Sequence, residues 1–173
     1  MLSSKSKLSK AEMGRYAKEQ GLRVSKEVKD RLYKVDKRDL REKEYAFMIA
    51  ANITKSVGRI TIIDFYVTVA FDLIDACKKI ENTETSLTKT AIRETIAKIK
   101  VKRKDGTVVN TRSSPDTVDL LFKKDTAGDR MDASEALVII DLAARVMIQD
   151  GKSTLKFKYV QPIYNGLVTC LDS

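Results

Sequence analysis

Gly151-Lys152-Ser153-Thr154 invites comparison with the loops that cradle nucleotide phosphates. That chemistry needs a second glycine five residues earlier, and position 146 is a valine inside the strongest helical pattern of the chain. Carboxylate pairs suited to general acid–base work stand at Asp36 and Asp39 and at Asp129 and Asp132. Each lies among lysines and arginines and reads as a solvated helix face. The chain has no histidine, so the commonest general base and metal ligand is missing. No enzymatic activity, metal site, cofactor or small-molecule substrate is expected.

Basic residues at loop positions are the more promising chemistry. Arg15, Arg23, Arg59 and Thr61 form one set, and Arg112, Lys152 and Thr154 form a second. Ser25 and Ser114 each read as the N-cap of a helix, whose first free N–H groups and positive dipole end can receive a phosphate. An arginine precedes each of these serines by two residues, and another basic residue waits in the loop at the far end.

Composition points the same way. The 173 residues include 33 basic and 24 acidic ones, a net charge of +9, which favours a polyanionic partner: nucleic acid first, an anionic surface second. With 43% hydrophobic residues, two prolines, seven glycines and no tryptophan, the chain reads as helix-rich with a real core. No run approaches the roughly 18 apolar residues of a membrane span, so no membrane partner is expected. Residues 1–10 carry three lysines among serines and read as a short basic tail, with no apolar core for a secretory signal. Cys77 and Cys170 are too few for a disulfide framework, and a reduced, intracellular chain is expected.

The elements that must position the basic residues are written twice. Gly58-Arg59-Ile60-Thr61 through Val67 returns 93 residues later as Gly151-Lys152-Ser153-Thr154 through Val160, with glycine, threonine, tyrosine and valine in register. Arg23-Val24-Ser25 returns as Arg112-Ser113-Ser114 at an offset of 89. Each copy reads as a short helix, a loop, a long helix, a loop and a short helix. In the first copy a helix from Ser9 buries Met13, Tyr16 and Ala17, and Gly21 ends it. Ser25 then opens a long helix running unbroken to Gly58, since no glycine or proline interrupts the charged belt Asp36–Glu44. Asp64 caps a third helix carrying Val67, Ala70, Phe71 and Ile74. After a polar linker, 81–86, Ser86 starts a helix with Ile92 and Ile96. Asp105-Gly106 between alternating residues predicts a two-residue β-hairpin turn within 100–112. Ser114-Pro115 then starts a helix that loosens at 126–129 and resumes with Ala133, Ala136, Leu137, Ile140, Ala143, Ala144, Met147 and Ile148 as one apolar stripe.

These residues resemble histone-fold proteins. Met13 through Ser25 is similar to the first helix and first loop of archaeal histones, and Gly58-Arg59-Ile60-Thr61-Ile62 to their second loop. The resemblance is specific over 12–75 and weaker over 86–171. The whole chain looks like a tandem histone doublet, as in some archaea and large DNA viruses of eukaryotes. It implies a mainly α fold of two histone-fold units, 11–80 and 87–171, forming a pseudo-dimeric handshake in which the first loop of each copy lies beside the second loop of the other. By the same resemblance, Arg15 would enter the minor groove and Arg23, Arg59 and Thr61 would contact the backbone, as would Arg112, Lys152 and Thr154. The implied function is non-specific binding and compaction of double-stranded DNA, in a nucleosome-like particle, with a second histone doublet or further copies as partners. The implied location is with DNA in a nucleoid, nucleus or viral factory, or in a virion. A protein-interaction module and a basic virion structural protein are the competing classes. The chain departs from the family where an aspartate usually clamps the second-loop arginine, which is Tyr66 here. Ser56 and Tyr66 also replace the histidine and aspartate used between archaeal dimers.

Overall fold

The computed structural model describes residues 9–35, 37–124 and 129–172. It is mainly α, and its contacts divide the chain into Met1–Asp75 and Ala76–Ser173. The first unit holds α1 (Lys10–Glu19), β1 (Arg23–Val24) and α2 (Lys26–Asp30), which runs into a π-helical turn at Arg31–Val35. It continues with α3 (Leu40–Ser56), β2 (Thr61–Ile62) and most of α4 (Asp64–Lys79). The second unit holds α5 (Lys89–Ala97), β3 (Lys100–Lys102), β4 (Val108–Asn110), β5 (Arg112–Ser113) and α6 (Pro115–Phe122). It ends with α7 (Ala133–Gln149), β6 (Thr154–Leu155) and α8 (Phe157–Leu171). Helix, strand, helix, helix, strand, helix is thus the order in each unit, with the β3–β4 hairpin added to the second. The expected tail falls outside the described residues up to residue 8, as does the loosened stretch 126–128.

Helix starts follow the polar caps. Ser9 accepts from the Glu12 N–H, Ser25 from Val28 and Ser114 from Thr117, with Pro115 at the first turn where no N–H is needed. Gly58 and Gly151 close α3 and α7 with φ of 80° and 73°, a left-handed conformation that a side chain would strain. Two expected starts move. Thr88 rather than Ser86 caps α5, because its hydroxyl reaches the Ala91 N–H. Asp64 is the first residue of α4 rather than its cap.

The larger correction concerns the long helix. It is not continuous: residues 37–39 leave the helix, and Asp39 restarts it as an N-cap whose carboxylate accepts from Glu42 N–H at 2.9 Å. The charged belt is therefore not one solvated helix face. Arg38 makes a bidentate pair with Asp75, both contacts at 2.7 Å, and its guanidinium lies 4.3 Å from the centre of the Phe71 ring. Arg31 approaches the same ring at 5.2 Å and donates to Thr68 at 2.6 Å. In the second unit Asp132 caps α7, 93 residues after Asp39, so the Asp129–Asp132 stretch is again a helix start.

The break decides which loops meet. A straight helix over residues 26–56 would hold its ends about 45 Å apart. Broken, the chain doubles back, and β1 pairs with β2 in parallel, Arg23 opposite Thr61 and Val24 opposite Ile62. In the second unit β5 pairs with β6, Arg112 opposite Thr154 and Ser113 opposite Leu155. The loop pairing expected between copies is found within each copy, so the handshake expectation is corrected.

Each unit has its own apolar core. Met13, Tyr16, Ala17, Val28, Leu32, Phe47, Ile53, Val67 and Phe71 are buried in the first, and Ile92, Ile96, Val118, Leu121, Ile140, Met147 and Tyr159 in the second. Leu137 and Ile148, placed on the buried stripe of α7 by periodicity, face solvent, while Ile139, Leu142 and Val146 are buried. The 81–86 linker is tied down rather than free. Asp132 accepts from the Thr83 N–H and hydroxyl, both at 2.9 Å, and Ala133 N–H donates to the Thr85 carbonyl at 2.7 Å. Cys77 and Cys170 are free thiols, and burial first of all, then the neighbouring Cys77, pushes Cys170 up to about 12.

Candidate nucleic-acid interface

The two short parallel ribbons bring most of the predicted residues together. In the first unit Arg23 N–H donates to the Ile60 carbonyl at 2.8 Å and Ser25 N–H to the Ile62 carbonyl at 3.2 Å. These bonds hold Arg23 and Thr61 side by side at the surface, with Arg59 exposed just before them. Ile60 is 61% exposed at the same tip, so the loop offers a basic and apolar crest rather than a core contact. Arg15 is exposed on α1 and lies outside this ribbon. Tyr66, where the resemblance wanted an acidic clamp, is only 1% exposed and packs edge-on to Phe65, so it is a core residue.

The second unit repeats the backbone plan. Arg112 N–H donates to the Ser153 carbonyl at 2.9 Å and Ser114 N–H to the Leu155 carbonyl at 3.3 Å. Arg112 and Lys152 are exposed and Thr154 is half-buried beside Arg112. Ser114 is further committed, its hydroxyl 2.8 Å from that of buried Thr117, which donates to the Leu155 carbonyl at 2.9 Å. Tyr159, equivalent to Tyr66, donates to Asp150 at 2.5 Å.

Ser25 and Ser114 therefore act first as structural caps. At α2 and α6 the capping serine already uses one free N–H, Pro115 lacks one, and Glu27 and Asp116 supply negative charge in the first turns. The helix ends leave most of any phosphate binding to the arginine, lysine and threonine side chains.

Sequence reasoning missed Arg103. With Val109, Asn110, Arg112, Ser153 and Thr154 it lines a groove of about 460 Å³ between the hairpin and the ribbon. The alternation in Lys100-Val101-Lys102-Arg103 held the signal, because it puts Arg103 on the side of buried Val101 and away from exposed Lys100 and Lys102. The hairpin turn also differs from expectation. Gly106 N–H donates to the Arg103 carbonyl at 3.0 Å, and Arg103 N–H to the Thr107 carbonyl at 2.8 Å. Lys104, Asp105 and Gly106 form a three-residue loop with Gly106 at φ 89°. Bonds from the Thr107 hydroxyl and N–H hold the Asp105 carboxyl below the usual range.

No family model, curated protein or solved structure matches this chain. Among the described residues no cluster of three or more metal-ligating side chains occurs, and no helix is long and apolar enough to cross a membrane.

Proposed function

We propose that this protein is a histone-like architectural protein that binds duplex DNA through its phosphates and compacts it. In this reading each unit is a histone-like unit folded closed on its own two loops. The observation that carries it is the doubled ribbon: Arg23 beside Thr61 and Arg112 beside Thr154, each with a further basic residue, Arg59 or Lys152, two positions before the threonine. A net charge of +9 and the likeness to histone loops support the same partner. Phosphate contacts of this kind carry no base information, so binding is sequence-tolerant, and bending follows from two such sites on one chain. In a cell such a protein would sit with DNA, alone or with a second doublet.

Binding to random-sequence duplex over a salt series tests this. Affinity should fall steeply with salt, and Arg15→Ala with Arg59→Ala should flatten the slope by roughly 0.9 per lost contact. Absence of duplex binding at low salt, or an unchanged slope in that double variant, would overturn the reading.

A further inference from the structure

The hairpin has no counterpart in the first unit, where only Gln20, Gly21 and Leu22 separate α1 from β1. It is strongly basic: Lys100, Lys102, Arg103 and Lys104 stand against one acid, Asp105, whose carboxylate accepts from Thr107 at 2.9 and 2.6 Å, lies near Arg103 and is not among the residues lining the groove. It is also firmly placed. β3 and β4 pair over Lys100–Asn110, Val101–Val109 and Lys102–Val108. Val101 is buried, and Thr111 binds the Ile99 carbonyl with both its N–H and its hydroxyl, each at 2.9 Å. A ribbon anchored at its base in this way holds Arg103 over the groove instead of leaving it to wander.

The groove has three walls: the hairpin with Arg103, β5 with Arg112, and the second loop with Ser153 and Thr154. No carboxylate lines it, so two guanidinium groups face one concavity without an internal counter-charge. Such a concavity concentrates anions. Guanidinium forks and hydroxyl donors match phosphate oxygens in geometry as well as in charge. Its volume, about 460 Å³, falls in the roughly 300–1,000 Å³ range of sites that seat a ligand of nucleotide size.

We propose that the β3–β4 hairpin completes a backbone-phosphate site found only in the second unit, with Arg103 and Arg112 gripping one stretch of a nucleic-acid strand from opposite walls. The inference rests on the nucleic-acid reading above and adds to it an unequal pair of sites, the second deeper than the first. Arg103 acts by charge and fork geometry, and Lys100 and Lys102 on the other face of the ribbon lie outside this groove.

The test compares salt slopes for a short random-sequence duplex, using the full chain and three variants. Arg103→Ala should lower the slope by about 0.9 and weaken binding alike on unrelated sequences, while Arg103→Lys keeps the slope and loses affinity. Arg93→Ala, an exposed arginine on α5 away from the groove, should stay close to the parent. Thermal melting of Arg103→Ala should match the parent because the side chain is exposed. If the parent binds DNA but Arg103→Ala keeps its slope, or Arg93→Ala loses as much, the hairpin site is wrong and the general reading stands. If the parent binds no DNA at low salt, both fall together.

Discussion

Where their two middle helices meet, the units differ residue by residue. In the first, Arg38 grips Asp75 and lies over Phe71, and Arg31 pairs with Asp64 at 3.3 Å while approaching the same ring. Counting 93 residues on, Met131, Tyr164 and Val168 stand for Arg38, Phe71 and Asp75. Met131 and Tyr164 are 1% and 2% exposed. A charged clamp in one unit is apolar mass in the other, yet both breaks keep the same cap, Asp39 or Asp132, with Glu42 or Glu135 three residues on. The cap defines the break, and the residues that hold it shut are interchangeable in chemistry. The two closures should accordingly answer differently to salt, acid and truncation.

The largest effect is expected at the apolar closure. Met131→Ala should destabilise the second unit by about 2–5 kcal/mol, with little dependence on salt. Arg38→Ala should lose only about 1–2 kcal/mol, since the pair is partly exposed, and that loss should shrink in high salt. Urea unfolding at two ionic strengths reads both. Equal salt dependence would break the contrast.

A middle effect belongs to the caps. Asp132→Ala should lose about 2–3 kcal/mol, combining a cap with the Thr83 tie, against about 1 kcal/mol for Asp39→Ala. Burial works to raise the Asp132 carboxyl, but bonds from Ser134 and Thr83 outweigh it and hold the group below the usual carboxylate range. Its folded value is depressed, so its stabilisation is complete above the unfolded value of about 3.9 and fades as pH falls through the folded one. The gap between wild type and Asp132→Ala in melting temperature should therefore narrow only in strong acid.

The smallest effect comes from Glu44 in the first unit, which is 6% exposed and has an oxygen without a hydrogen-bond partner. Burial, and then the charge of Glu12, raise its carboxyl above the usual range. A raised folded value means the unfolded state releases its proton first, so stability declines as pH rises from the unfolded value, about 4.3, through the folded one. Glu44→Gln should gain up to about 1 kcal/mol at neutral pH and lose that decline. A variant less stable than the parent at pH 7 would contradict the assignment. Position 137, the equivalent of Glu44, is an exposed leucine, so no matching effect is expected in the second unit.

The loop ribbons were legible from the sequence because glycine ends, serine caps and the flanking arginines recur at two fixed offsets. The helix break was not, because neither glycine nor proline marks it. Its real signal is an aspartate N-cap with a glutamate three residues on, Asp39 with Glu42, repeated as Asp132 with Glu135. The partner of each loop could not be read at all from local residues. The same backbone bonds form whether a loop meets its own copy or another, and only the break chooses between them. Arg103 escaped for a smaller reason: a run of basic residues hides its own alternation.

Separate ribbons, each pairing the two loops of its own unit and contributing phosphate contacts independently of the other, are the core of the account. The salt slope of duplex binding for Arg23→Ala with Arg59→Ala, for Arg112→Ala with Lys152→Ala, and for all four together tests it most directly. Each pair should lower the slope by about 1.8, and the quadruple variant by about 3.6, the plain sum for independent sites. An unchanged slope in either pair, or loss of all binding from one pair alone, would contradict it.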